Sequence, residues 1–290
     1  MDDSIDSSAK IITGGFAAAG RYAVIGHPVH QSRSPELHSQ WFTARGLSGR
    51  YEAVDIDPAE LIVRAPSLPY EFAGVNVTAP HKVSIMGYVD RVDESARAAG
   101  AANLLYRSQD RAWTAGNTDG EGMLRALEEA TGETTLGKDI VIVGAGGAAR
   151  AIGAALSRVG ASSLFFINRS LERAEEVNQS VQGSGVLALH PESLNELPVS
   201  TDLLINTLPP VADPQLQLLN LEALAGHAVV TDLNYYVEEP LILRRAEAMG
   251  LMTVHGRGMF LWQAALSFRA WTGQDPDLDL GRKLLGFPGW

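Results

Sequence analysis

Hydrophobic residues along this chain fall into short runs, and the spacing inside each run predicts an element. Around 72–78, Phe72, Val75 and Val77 alternate with Asn76 and Thr78, the period of a strand. Similar runs predict strands over 22–26, 51–56, 103–106 and 112–114. A helix is expected from about Pro35, with Ser34 as its N-cap, and further helices over 95–102 and 123–131. From residue 139 the pattern becomes regular. Residues 139–143 are almost continuously apolar, as in a strand buried on both faces. Then follow helix 147–159, strand 163–167, helix 171–181, strands 203–206 and 228–232, helix 241–250 and strand 252–254. Strands separated by helices of this length predict a parallel sheet with helices on both faces. A last apolar helix is expected over 260–271, and the Gly/Pro/Asp-rich 272–290 has short helical character.

Two of the predicted strand ends carry polar side chains. In Gly74-Val75-Asn76-Val77-Thr78-Ala79-Pro80-His81-Lys82, Pro80 has no N–H for a ladder, so Asn76, Thr78 and Lys82 arrive together at a strand-to-loop edge. This is either a site that orients a polar substrate and gives it a proton, or an exposed lysine after a turn. Gly116-Asn117-Thr118-Asp119-Gly120 is, by itself, a good turn or helix cap. Beside Lys82 it has a further reading. Carbonyl reduction needs a proton donor, a lysine ordinarily carries its proton at neutral pH, and a nearby carboxylate such as Asp119 favours the charged form.

A third motif lies between the strand at 139–143 and its helix. Gly144-Ala145-Gly146-Gly147-Ala148-Ala149 fits G-x-G-x-x-A, a form of the dinucleotide fingerprint. Gly144 permits the turn, Gly146 lets backbone approach a pyrophosphate at the helix N-terminus, and Ala149 permits close packing. A glycine-rich turn between any strand and helix is the alternative. The next strand ends on Asn168-Arg169-Ser170, with Arg173 following, where an NAD site would place Asp or Glu. Arg169 and Arg173 suit a 2′-phosphate, which favours NADP(H) as cofactor; the alternative is solvated residues at a helix start, beside Glu172. The fold class is thus α/β: an N-terminal α/β domain plus a Rossmann-like, doubly wound dinucleotide domain. The expected boundaries are a tail over 1–19, a first domain of 20–122 plus 257–290, and a second domain of 123–256.

Composition narrows the partners. The chain has 290 residues, 46% hydrophobic and 20% charged, and a formal net charge of −11, which argues against a broad nucleic-acid surface. It has no cysteine, so disulfides and thiolate chemistry are excluded. The apolar runs are too short for a membrane span, and the acidic, Ser-rich start is unlike a secretory signal. A cytoplasmic monomer or homodimer is expected. His27 and His30 lack a third ligand, so no metal site is expected, and the spacing of Trp262, Phe268 and Trp271 reads as core packing.

Taken together, the motifs resemble the shikimate dehydrogenase family from about residue 22 to 273. Ser32-Arg33-Ser34-Pro35 is similar to its S-x-S-P, 74–82 to its G-x-N-V-T-x-P-x-K, Asn103 to the asparagine of G-A-x-N-T, and 117–119 to N-T-D. The resemblance implies an NADP-dependent oxidoreductase acting on a small anionic polyhydroxylated cyclohexene or cyclohexane carboxylate. It implies that Ser32 and Ser34 hold the carboxylate, that Asn76, Thr78, Asn103, Gln263 and Tyr235 meet the ring, and that Lys82 and Asp119 are catalytic. Gly144 to Ala148, Asn168, Arg169, Ser170, Arg173 and Gly256 would bind the cofactor, with hydride transfer in a closing interdomain cleft. The chain departs from the family pattern at Ser39, Leu104, Leu208 and Glu239. A quinate/shikimate or aminoshikimate paralogue, or an NADP sensor without turnover, would share the same core residues.

Overall fold

The strand-period and helix-period runs fold as two separate α/β units. A computed structural model describes residues 19–197, 200–217 and 219–287, so the expected tail lies, but for residue 19, outside the described residues. The first unit comprises 19–97, 101–118 and 263–287, and the second 98–100 and 119–262. The helix Arg257–Thr272 therefore contributes to both, and the division falls at Thr118/Asp119 and Trp262/Gln263 rather than at 122/123 and 256/257.

The first unit holds a six-stranded mixed sheet. Its strands are β1 (Ala19–Gly26), β2 (Ser48–Asp55), β3 (Gly74–Val77), β4 (Arg91–Val92), β5 (Leu104–Arg107) and β6 (Trp113–Gly116), ordered β2-β1-β3-β5-β6-β4. β1 is parallel to β2 and β3, whereas β5 runs antiparallel to β3 and β6. One apolar cluster joins Ile25, Val75, Val77, Leu105 and Trp113 to Leu61, Leu68 and Ile85. A second, aromatic group carries Tyr22, Phe42, Phe268 and Trp271, with Tyr22 4.8 Å from Phe42 and 5.1 Å from Trp271. Gly74 is required here: any Cβ would enter the Trp271 indole, whose N–H donates to the Leu105 carbonyl at 3.0 Å.

The second unit is a six-stranded parallel sheet of β7 (Asp139–Val143), β8 (Ser163–Asn168), β9 (Gly185–Ala188), β10 (Leu203–Asn206), β11 (Val229–Asp232) and β12 (Met252–His255). The order is β12-β11-β10-β7-β8-β9, so the chain leaves the centre in one direction and then returns to build in the other. This is the doubly wound dinucleotide-fold order, with its switch point between β7 and β10. Ile140 and Ile142 enter one core with Leu164, Phe166 and Ile152, while Val141 and Val143 enter another with Ile167, Leu204 and Ile242. That alternation explains why β7 reads as continuously apolar.

Several boundaries differ from expectation for local reasons. The helix expected at 123 begins at Asp119, because Gly120 and Gly122 blur the apolar period of its first turn. Gly120 is small because the helix Gly147–Arg158 is close: a Cβ would sit 2.5 Å from the Ala151 carbonyl oxygen. Ser34 is the first residue of its helix rather than the cap; Arg33 is the N-cap residue, and the Ser34 N–H donates to Ser32 Oγ at 3.3 Å. β9 escaped the sequence reading because all four of its residues are half-buried and lack alternation. Among the described residues no helix is long and apolar enough to cross a membrane.

Gly74→Ala forces the Trp271 indole to move. It is expected to cost about 1–3 kcal/mol, the usual range for overpacking, read as a lower urea midpoint with an unchanged m-value; an unchanged midpoint would contradict the packing described. His38 gives a pH test. Its ring stacks on Tyr51 at 4.5 Å, both ring nitrogens are buried without a hydrogen bond among the described residues, and burial pushes its pKa down from 6.5 to about 3. The unfolded chain therefore binds this proton first, so the contribution is full above pH 6.5 and is lost as pH falls from 6.5 towards about 3. His38→Phe should flatten the stability-versus-pH slope in that window, measured by urea unfolding; an identical slope would show that His38 is not the group responsible.

Candidate active site

Lys82 owes its position to backbone on either side. After β3 the chain stays pinned to β1: the Thr78 N–H donates to Ile25 O at 2.8 Å, and the His27 N–H to Ala79 O at 3.0 Å. Gly26 permits this approach, since a Cβ there would meet Thr78 Cγ2. Pro80 ends the pairing, as its missing N–H requires. The His81 N–H then donates to Thr78 O at 3.0 Å, and the Lys82 carbonyl accepts from the Ala102 N–H at 2.7 Å. His81, in the turn after β3, is 1% exposed, with Nε2 2.6 Å from the Ile56 carbonyl oxygen. It anchors the segment that presents Lys82, whose side chain remains half-buried.

Behind this edge lies a buried amide network within the same unit. Asn76 donates through Nδ2 to Asn103 O at 3.1 Å and Ser267 Oγ at 3.0 Å, and its Oδ1 accepts from the Tyr51 hydroxyl at 2.8 Å. Asn103 Oδ1 accepts the Thr118 N–H at 2.7 Å, while its Nδ2 donates to Thr118 Oγ1 at 2.9 Å and Gln263 Oε1 at 3.3 Å. The Thr118 hydroxyl and Ser267 hydroxyl both reach the Gln263 carbonyl, at 3.1 and 2.9 Å. Asn76, Asn103 and Gln263 are therefore brought together. Both Asn76 N–H groups go to protein acceptors, which leaves this residue one Oδ1 lone pair for a hydroxyl.

Ser32 and Ser34 share one turn at the start of the helix Ser34–Ala44, and Thr78 lies just beyond β3. Asp119 is buried at the first position of the helix Asp119–Thr131, where a carboxylate suits the positive end of the helix. It belongs to the second unit, one residue past the division from Thr118.

In the second unit the glycine loop joins the C-terminal end of β7 to the helix Gly147–Arg158. Gly144 has φ +117°, in the region glycine favours, and a Cβ would meet Thr207 Oγ1 just past the end of β10. The loop therefore lies at the switch point. Gly146 is exposed and faces open space, with nothing within 4 Å of an added Cβ. Ala145, Gly147 and Ala148 are half-buried around it, and the helix begins at Gly147 with backbone N–H groups that lack intrahelical partners. Such an end suits a pyrophosphate.

β8 ends on Asn168, whose Nδ2 donates to Ser170 O at 2.9 Å. Ser170 caps the helix Leu171–Val181 by accepting from the Arg173 N–H. Arg169 and Arg173 are exposed, and neither is in an ion pair among the described residues. Gly256 follows β12, where a Cβ would stand 2.5 Å from the Asp232 carbonyl oxygen. Tyr235 stacks on Phe260 with centroids 3.9 Å apart.

Four contributors were not picked out from the sequence. Tyr51 and Ser267 complete the Asn76 bonds, and Asn234 with buried Asp232 ties β11 to β10: Asp232 accepts from Asn206 Nδ2, Asn234 N and Asn234 Nδ2, each at 2.7 Å. Ser267 had a usable signal, since it lies four residues after Gln263 on one helix face. Tyr51 reads only as a strand aromatic, and its bond to Asn76 joins residues 25 positions apart.

Comparison with known proteins agrees with this arrangement. Residues 24–105 match the shikimate dehydrogenase substrate binding domain, 126–209 the shikimate/quinate 5-dehydrogenase domain, and 256–285 the shikimate 5′-dehydrogenase C-terminal domain. A shikimate dehydrogenase (NADP(+)) of Exiguobacterium sp. is 39% identical over 265 residues, 91% of this chain and 97% of that protein. That of Bacillus subtilis is 36% identical over 91% of this chain and 95% of its own length. The crystal structure of shikimate 5-dehydrogenase from Thermus thermophilus in complex with NADP(H) and shikimate superposes with a TM-score of 0.80, at 33% identity, covering 92% of this chain and 98% of that one. With its fold order, glycine loop and lysine segment in place, the chain belongs to the shikimate dehydrogenase family.

Proposed function

We propose that this chain is an NADP-dependent oxidoreductase acting on a CH–OH group, which reversibly reduces 3-dehydroshikimate to shikimate in aromatic amino acid biosynthesis. The observation that carries this reading is the family membership of a chain in which Lys82, Asp119 and the Asn103 network are all retained. The first unit takes the substrate and the second the cofactor. Ser32 and Ser34 donate to the carboxylate, while Thr78, Asn103, Gln263, Tyr235 and the remaining Asn76 lone pair meet the ring. Bound NADP(H) supplies or accepts the hydride. Lys82 gives a proton to the oxygen that gains charge, or takes it in the reverse direction, and Asp119 orients it.

On the cofactor side, the loop of Gly144, Ala145, Gly146, Gly147 and Ala148 cradles the pyrophosphate. Asn168, Arg169, Ser170 and Arg173 would hold the 2′-phosphate, and Gly256 would contribute to the cofactor site. The exposed side chains of Arg169 and Arg173 supply the charge such a phosphate needs. The protein works as a cytoplasmic monomer or homodimer.

Lys82→Ala should lower kcat by about 10²–10⁴-fold, the usual share of general acid–base catalysis, with the KM for shikimate changed only a few-fold in steady-state assays. Full activity in that variant would remove the lysine from the mechanism. Arg169→Ala should raise the KM for NADP about tenfold, the effect of losing about 1.4 kcal/mol, and leave the KM for NAD nearly unchanged. Equal effects on both cofactors would contradict the 2′-phosphate role.

A further inference from the structure

Arg33 stands between the two serines assigned to the substrate carboxylate, and an arginine there carries the charge of a direct counter-ion. Its side chain is directed elsewhere. Arg33 Nη2 donates to the Leu284 carbonyl at 2.5 Å and to Glu36 Oε2 at 2.9 Å, and Nε reaches the same Glu36 oxygen at 3.2 Å. Leu284 lies in the last turn of the helix Leu278–Leu285, which ends at Gly286 with φ +75°. Carbonyls in a last turn have no intrahelical donor, and a cation is favoured at that end. Arg33 satisfies one of them, with its charge met by Glu36.

The same helix is tied at its other end. The Trp41 indole N–H donates to the Asp277 carbonyl at 2.6 Å, and Asp277 Oδ1 caps the helix by accepting from the Leu280 N–H at 2.9 Å. Helix Leu278–Leu285 is thus fastened to the segment 33–44 at two points, Arg33 and Trp41. The Arg33 point coincides with the serine turn, whose other local bonds run from Ser32 N–H to Val29 O at 3.0 Å and from Ser34 N–H to Ser32 Oγ at 3.3 Å.

We propose that Arg33 is a positioning residue: it clamps the Ser32–Ser34 turn to the carbonyl end of the C-terminal helix and so fixes the geometry in which the two serines receive the substrate carboxylate. The inference rests on the carboxylate role of those serines. It makes the C-terminal helix part of substrate recognition without placing any of its side chains on the substrate. The Lys82 segment is held by His81 and Ala102 instead, so loosening the clamp weakens binding of the acid and spares the chemical step.

The test compares full-length variants. Arg33→Ala should raise the KM for shikimate about tenfold, with kcat and the KM for NADP within about twofold, and Arg33→Lys should recover part of the loss because one ammonium can still reach the Leu284 carbonyl. Lys283 is exposed in the same last turn. Lys283→Pro removes an N–H and breaks the turn that carries the Leu284 carbonyl, so it should raise the same KM to a similar extent. The double variant Arg33→Ala/Lys283→Pro should be no worse than either single variant, since both remove one interaction. Lys283→Ala, which keeps the turn, should match the unaltered protein. A KM raised by Arg33→Ala but not by Lys283→Pro would mean that Arg33 meets the carboxylate directly and would overturn the proposal, as would an unchanged KM in Arg33→Ala. Ser34→Ala separates the two readings: if it leaves the KM for shikimate unchanged, the serine assignment itself is what fails.

Discussion

The hydrogen bond from the Thr118 N–H to Asn103 Oδ1, 2.7 Å long and fully buried, is the constraint on which the first unit's polar residues depend. An amide buried between strands must have its donors and acceptor met, or each unmet group costs roughly 1–3 kcal/mol. Asn103 meets its needs with Thr118 and Gln263, and Asn76 meets its own with Tyr51, Ser267 and the Asn103 carbonyl. Residues from β2, β3, the start of β5, the end of β6 and the helix Arg257–Thr272 are thereby fixed against one another. Side chains held this way are already ordered, which is how a polar site gains orientation at little entropic cost.

The same economy shapes the lysine edge and the serine turn. Lys82 is positioned by backbone bonds on either side and by the buried His81 ring. The serine turn is held through Arg33 by a helix more than two hundred residues away in sequence, 251 positions from donor to acceptor. In the second unit, buried Asp232 gathers three N–H groups and links the ends of β10 and β11, beside the glycine loop at the switch point.

Much of this was legible in the sequence where the physics is local. β7, β10 and the helix Leu171–Val181 have the expected limits, because apolar runs and helical spacing are local signals. The glycine loop was legible for the same reason: Gly144 and Gly146 are demanded by a turn and by open space within six residues. The signals failed where long-range packing decides. Gly74 makes room for Trp271, His81 is buried against Ile56, and Tyr51 bonds Asn76, and none of these partners is visible from its own segment. The start of the helix at Asp119 was hidden because Gly120 serves packing on the neighbouring helix and, with Gly122, carries no apolar period.

The central claim is that this chain interconverts a ring hydroxyl and the corresponding ketone, with NADP+ accepting the hydride and NADPH returning it. Its most direct test is the steady-state kcat/KM of the purified protein for shikimate and for quinate, each with NADP and with NAD, followed by the near-ultraviolet absorbance of the reduced cofactor. The account predicts turnover that is fastest with shikimate and NADP, and at least about tenfold slower with NAD, as loss of a charge-assisted phosphate contact implies. No turnover with either ring acid, or a preference for NAD, would contradict it.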